Sequence, residues 1–353
     1  MNNRIKKCVS QIRSQKLDAF ILSNPVNITY LSNFRNADGY LLITSQEELF
    51  YFTSFIYEYE AKAQHIWTVV PSRGNLFKSI SEVIKKLNLR NVGFEAKNIG
   101  FLEYEKIKQS LSDKEINLSQ TVNFIEKLRA VKSRDEIALI KKAAVITEEA
   151  LSFVEQIYDR AMTEKDLSIE IERFLRIKGE NSVAFPTIVA YGKNSALPHH
   201  EPEGVLNTKD GFTLIDLGAK YCEYCADLTR VFTWGKIPIL FKKVYDIVRK
   251  AQSISIKRIK DGVRASDVDK MAREFIGQKG FGKYFGHGLG HGVGLNVHEN
   301  PYLNPRSDEI LKEGMVITIE PAIYLQGKFG IRIEDMVLVK KDKGEILSGN
   351  FDK

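Results

Sequence analysis

Asp216, Asp227, His291, Glu320 and Glu334 each stand inside a short apolar run, as in Thr213-Leu-Ile-Asp216-Leu-Gly and Ile317-Thr-Ile-Glu320-Pro. A carboxylate withdrawn from water in such a run is unfavourable unless a cation or several hydrogen bonds offset it. Clustered carboxylates also repel and raise one another's pKa. Two divalent ions would balance the charge of the four carboxylates in this set. The sequence therefore predicts a two-metal centre with mainly oxygen ligands and one imidazole. That donor set favours Mn2+, with Co2+, Fe2+ or Zn2+ as alternatives.

The six histidines are at positions 65, 199, 200, 287, 291 and 298. Three of them lie in Phe285-Gly-His287-Gly-Leu-Gly-His291-Gly-Val-Gly-Leu-Asn-Val-His298, a glycine-dense segment suited to close passage of backbone past a ligand or metal. The segment lacks the Lys and Ser/Thr of a phosphate-binding loop.

The elements that must position these residues fall into two parts. Residues 1–125 alternate helical and extended patterns: Arg4 to Lys16 and Leu76 to Leu87 have helical spacing, Ala19-Phe-Ile-Leu reads as a buried strand, and 39–44 and 48–53 read as paired strands. This part is expected to be an α/β domain. Ser133-Arg-Asp-Glu136 is a capping-box signature and marks a fresh start in the second domain, 126–353. From there a pattern of two helices followed by strands runs twice. The first copy has helices at 134–158 and from Thr163-Glu-Lys-Asp166 to Gly179, with extended segments near 185–191, 212–219 and 226–233. The second has helices at 239–260 and from Ser266-Asp-Val-Asp269 to Gly280, with extended segments near 291–298, 315–324 and 330–339. Two pseudo-symmetric halves whose sheets join in one curved, helix-backed surface would bring the five residues together. Asp216 and Asp227 would sit on adjoining antiparallel strands, and Glu334 would share a strand face with Arg332 and Met336.

Composition narrows the alternatives. The chain has 353 residues, 43% of them hydrophobic, enough for two cores. No apolar run approaches the roughly 20 residues of a membrane-spanning helix, and the N-terminus has no secretory pattern, so a cytoplasmic protein is expected. The net charge of +7 comes mainly from residues 1–130 and is scattered, and the densest group, Lys242 to Lys250, has the pattern of a solvated helix face. A nucleic-acid surface would need a denser stripe with interleaved aromatics. The Cys222-Glu-Tyr-Cys225 pair has no second half of a zinc site and reads as an ordinary strand pair.

Leu197-Pro-His199, Thr213-Leu-Ile-Asp216-Leu-Gly-Ala, Asp227-Leu-Thr-Arg230, Gly290-His291-Gly-Val-Gly, Ile319-Glu320-Pro-Ala-Ile-Tyr and Ile331-Arg-Ile-Glu334-Asp together resemble the pita-bread metallopeptidases, in particular the prolidase and aminopeptidase P branch that cleaves Xaa-Pro bonds. The resemblance covers residues 130 to 345, and 1–125 is similar to that branch's N-terminal domain. It implies an α+β protein in which Asp216 and Asp227 hold one ion, His291 and Glu320 the other, and Asp227 and Glu334 bridge them. A water activated between the ions would be the nucleophile, and Glu320 would shuttle its proton. His199 and His298 would steady the tetrahedral intermediate, with His287 a further pocket residue and His200 only a neighbour. Arg332 would orient carboxylates or contact substrate, and Arg230 is open to the same argument. Tyr302 stands where some prolidases place an arginine for a dipeptide's carboxylate, which makes longer peptides at least as suitable as dipeptides. The expected partners are short peptides with proline second and another copy of the chain in a homodimer. A metal-free enzyme on the same fold, or a binding module built on it, would have lost ligands that this sequence retains.

Overall fold

In a computed structural model, residues 3–35, 38–63, 65–72, 74–112, 115–158, 161–180, 182–206 and 211–349 are described. The chain divides into two compact units, Met1–Arg129 and Ala130–Lys353.

The first unit contains α1 (Asn3–Ser14), β1 (Ala19–Leu22), α2 (Pro25–Ser32), β2 (Tyr40–Thr44), β3 (Leu49–Ser54), α3 (Glu58–Lys62), β4 (Thr68–Ser72), α4 (Leu76–Lys86), β5 (Asn91–Glu95), α5 (Phe101–Ser110) and β6 (Asn117–Thr121), with α6 (Glu126–Ala130) at its end. Its six strands form one mixed sheet in the order β4-β3-β2-β1-β5-β6. All four residues of β1 are buried, as a continuous apolar run requires in a central strand covered on both faces.

In the second unit, α7 (Arg134–Ile157) begins at the Ser133–Glu136 capping box, and α8 (Glu164–Lys178) begins at a second box between Thr163 and Asp166. Then come β7 (Ile188–Tyr191), β8 (Gly211–Leu217), the short hairpin β9 (Lys220–Tyr221) and β10 (Tyr224–Cys225), and β11 (Leu228–Trp234). The pattern repeats with α9 (Ile239–Arg258), α10 (Ala265–Gln278), β12 (Gly290–Gly292), β13 (Glu299–Leu303), β14 (Val316–Ile319), β15 (Ala322–Leu325), β16 (Phe329–Arg332), β17 (Asp335–Val339) and β18 (Gly344–Ile346). The first half contributes the antiparallel sheet β11-β8-β7 and the second β13-β12-β14-β17-β18, with β15 and β16 paired as a separate ribbon. Strand alternation feeds two cores. Met336 and Leu338 of β17 join the cluster built on α7 and α8, while Val337 and Val339 join the one built on α9 and α10. This is the α+β, two-half architecture expected from the sequence.

Several local expectations need correction. The extended segments near 315–324 and 330–339 are each interrupted, at Glu320-Pro321 and at Ile333-Glu334, where the chain passes between the five-stranded sheet and the β15–β16 ribbon. Glu334 therefore does not lie on one continuous strand face with Arg332 and Met336, and Met336 packs in the core. Of the 291–298 segment only His291 and Gly292 are strand, and residues 294–298 form bends. Helix α10 starts at Ala265 after Arg264, so Ser266 lies inside its first turn and does not cap it. Cys222 occupies the left-handed turn between β9 and β10 at φ 47°, and only Cys225 is on a strand. Lys242, Lys243 and Lys250 are exposed on α9. Among the described residues no helix is long and apolar enough to cross a membrane.

Candidate metal centre

Asp216 is carried by β8 and lies opposite Thr229 of β11; Asp227 immediately precedes β11, after the β9–β10 hairpin has turned the chain back. His291 is the middle residue of β12. Glu320 and Glu334 occupy the two strand interruptions, which frees their side chains from the up-and-down alternation of a continuous strand. Leaving the ladder at these two points lets both carboxylates turn toward the edge of the first sheet.

The ligand atoms converge. Oxygens of Asp216, Asp227 and Glu334 lie within 4.8 Å of one another, and so do the donor atoms of His291, Glu320 and Glu334. Glu334 belongs to both trios. Asp227 links them a second time, since its Oδ2 is 3.6 Å from His291 Nε2 and it forms a further group with His291 and His298. His291 Nε2 is also 3.3 Å from Glu320 Oε1. Its Nδ1 faces the Gly292 carbonyl at 3.2 Å, which places a proton on Nδ1 and turns Nε2 to the carboxylates, where it donates to Glu320 when protonated and would bind a metal when not.

The electrostatics fit cations in this place. Burial, followed by the charges of the neighbouring carboxylates, holds Asp227 and Glu334 well above the ordinary carboxylate range. Burial also works to raise Glu320, but its hydrogen bond to His291 and the charges of His291, His287 and Arg332 bring it below its usual value. Asp216 Oδ1 is buried with no hydrogen-bond partner among the described residues. A buried anionic oxygen without a donor is unfavourable alone and suits direct ligation.

Surrounding side chains hold these groups in place. Buried Arg332 donates to Asp216 Oδ2 at 2.6 Å, to Tyr324 Oη at 2.6 Å and to Thr229 Oγ1 at 3.0 Å. The Thr229 hydroxyl donates to Glu334 Oε2 at 2.7 Å. Thr318 Oγ1 donates to Glu320 Oε1 at 3.3 Å and accepts from His291 N at 3.1 Å. Arg230 turns instead to Asp335 Oδ1 at 2.8 Å and to the Glu334 carbonyl, so it fixes the backbone at Glu334. Thr229, Thr318 and Tyr324 were missed in the sequence. Thr229 and Thr318 stand two residues from a ligand, at Asp227/Thr229 and Thr318/Glu320, and that spacing could have identified them.

The centre opens into a cavity of about 790 Å³. His199, His287 and His298 line it, as does Tyr302, which lies opposite His291 in the β12–β13 register and is partly exposed. His287 Nδ1 lies 2.7 Å from the Gly288 carbonyl, and its Nε2 faces Tyr324 Oη at 3.4 Å. His200 also lines the cavity, but its Nε2 is 2.8 Å from Glu164 Oε2. The glycines around His291 have a different use from the one expected. A Cβ at Gly290 would lie 2.0 Å from the Thr318 carbonyl oxygen, and one at Gly292 would lie 2.3 Å from that of Asn300. They allow close approach of neighbouring strands, and the effect on the ligands is indirect.

Residues 138–341 match the metallopeptidase family M24, and residues 4–131 match the creatinase/prolidase N-terminal domain. The chain belongs to metallopeptidase family M24. It is 34% identical to a Xaa-Pro dipeptidase of Pyrococcus horikoshii, over 99% of this chain and 97% of that one. Among solved structures, a Xaa-Pro dipeptidase from Bacillus anthracis superposes with a TM-score of 0.94 at 32% identity, covering 99% and 98% of the two chains. An X-Pro aminopeptidase from Thermotoga maritima superposes with a TM-score of 0.88 at 35% identity, covering 96% and 97%. This M24 protein is a hydrolase of the metallopeptidase class, and its converging carboxylates and imidazole are groups that could hold divalent ions.

Proposed function

We propose that this M24 protein is a two-metal exopeptidase that releases an N-terminal residue from the proline that follows it. The observation that carries the proposal is the sharing of Glu334 between two ligand trios, with Asp227 as a second link. Asp216, Asp227 and Glu334 would hold one ion, and His291, Glu320, Glu334 and Asp227 the other. Divalent ions bound there would supply Lewis-acid polarisation of the scissile carbonyl and lower the pKa of the attacking water. The oxygen-rich donors favour Mn2+.

The remaining steps belong to the protein's own side chains. Glu320 would take the proton released by the water and deliver it to the departing proline nitrogen. His199 and His298 would donate toward the oxygen on which negative charge develops. His287 and Tyr302 would contact the peptide, and Arg332 would keep Asp216 and Thr229 in register. Phe185, Ile188 and Leu303 give the cavity an apolar wall suited to a proline ring.

The relatives carry the names of both a dipeptidase and an aminopeptidase, so the reading includes a strict Xaa-Pro dipeptidase as its second form. Hydrolysis of Ala-Pro and Ala-Pro-Ala, with chelated and Mn2+-supplemented enzyme and an Asp227→Ala control, tests both forms. Metal-dependent cleavage of the Ala-Pro bond is expected, and the ratio of the two rates assigns the subclass. Cleavage that survives chelation, or no cleavage at all, rejects the proposal. A cytoplasmic homodimer is part of the same reading, and sedimentation of the purified chain tests the assembly.

A further inference from the structure

We infer that three buried carboxylates outside the metal centre, Glu164, Asp269 and Glu299, are positioning residues, each setting one cavity histidine: His199, His287 and His298 respectively. The kinetic part of the test rests on the proposed peptidase function, while the spectroscopic part does not.

The three sites share one construction. Glu164 is fully buried at the start of α8 and accepts from Tyr191 N at 2.6 Å, Asn194 Nδ2 at 3.0 Å and Glu203 N at 3.0 Å, with His200 Nε2 2.8 Å away. It therefore ties both ends of the 191–203 segment that carries His199. Asp269, 1% exposed on α10, accepts from Leu289 N at 3.1 Å and pairs with Arg273 through two 2.8 Å bonds. Arg273 in turn donates to the carbonyls of Phe285 and His287 at 3.0 and 2.7 Å, so the pair holds both sides of His287. Glu299 follows His298 directly. It accepts from Asn296 N at 3.4 Å and pairs with Lys132 Nζ at 2.9 Å, and both side chains are almost completely buried.

A buried charge pair adds little net stability compared with apolar packing of the same volume. The positional benefit is larger. Each histidine lies on a segment outside the regular ladders, where backbone groups lack helix or sheet partners, and each carboxylate supplies acceptors to amides of that segment. Imidazoles that must face a small developing charge need fixed geometry, and misplacement by about 1 Å can lower a rate roughly 100-fold.

The test uses full-length protein labelled at the imidazole Cε1 of its six histidines, assigned by single His→Gln variants. Asp269→Asn is expected to shift or broaden the His287 signal and leave those of His199 and His298 in place. Glu164→Gln should move the signal of its direct partner His200 and, of the three cavity histidines named above, that of His199 alone, and Glu299→Gln should move that of His298 alone. Where Asp269→Asn does not fold, Arg273→Lys keeps the charge and removes the paired donors. In kinetics, Asp269→Asn should lower kcat roughly 10- to 100-fold with a smaller change in KM, and should cause no further fall in a His287→Ala background. Signals that all move together, that do not move, or losses that add in the double variant would overturn the inference. A wild-type protein that cuts no Xaa-Pro bond would sink the functional reading, and the imidazole signals would still decide this one.

Discussion

Thr229 and Glu334, 105 residues apart in sequence, share a 2.7 Å hydrogen bond in which the threonine hydroxyl donates to the carboxylate common to both ligand trios. Thr229 is also the partner of Asp216 in the β8–β11 register and accepts from Arg332. One hydroxyl thus links candidate ligands from the two halves. Thr229→Val is expected to keep the fold while weakening metal affinity by roughly 10- to 100-fold, as other losses of a ligand's supporting hydrogen bond do. Isothermal titration with Mn2+ measures this, and unchanged affinity would remove Thr229 from the account.

Arg332 is the cation that directly faces Asp216, and it is itself buried. Arg332→Met should destabilise the metal-free protein by about 3–5 kcal/mol, because Asp216 is left buried without its counter-charge. Bound divalent ions supply positive charge at the same place, so the loss should be smaller in the loaded protein. Denaturant unfolding with and without Mn2+ checks the difference. An equal loss in both states would show that Arg332 and the ions do not act on the same carboxylate.

Asp227 and Glu334 bear on the pH dependence of the metal-free protein. Burial, then neighbouring carboxylates, raises both above their ordinary values. In the interval between unfolded and folded values, the folded state retains protons that the unfolded chain has released. Their contribution to stability is fully present below the unfolded carboxylate range and is lost as pH rises through the raised folded values. The metal-free protein should therefore melt at a higher temperature in mildly acidic buffer than in neutral buffer. Mn2+ added at neutral pH should reverse the loss and release protons. Calorimetry in buffers of different ionisation enthalpy measures both effects; a melting temperature flat across this range, with no proton release, would contradict the assignment.

Gly290 and Gly286 offer a paired test of close strand packing beside His291. A methyl group at Gly290 would meet the Thr318 carbonyl at 2.0 Å, whereas one at Gly286 would meet nothing within 4 Å. Gly290→Ala should cost roughly 1–3 kcal/mol or more and displace His291, and Gly286→Ala should be close to neutral. Thermal melts of the two variants distinguish them, and equal stability would show that β12 does not need the close approach.

The five clustered side chains could be picked out in the sequence because charge inside an apolar run is costly unless compensated, which needs only local context. Capping boxes at Ser133 and Thr163 were legible for the same reason, since their hydrogen bonds span three residues. The strand interruptions at Glu320 and Glu334 were not, because a short apolar run has the same pattern whether it continues in one sheet or crosses to a ribbon. The support from Thr229, Glu164 and Asp269 depends on register and on contacts between distant segments. In the sequence Asp269 has the position of a residue at a helix start, where acidic residues are common, and its bonds to Arg273 and Leu289 appear only once α10 is packed against the 285–289 segment.

The central claim is that side chains from two halves enclose a pair of divalent ions. Metal analysis of purified protein equilibrated with Mn2+, read alongside Ala-Pro hydrolysis, tests it most directly. Two ions per chain are predicted, with occupancy and turnover falling together in Asp227→Ala. An active protein that holds no ion, or a variant that loses the ions and keeps full activity, would contradict it.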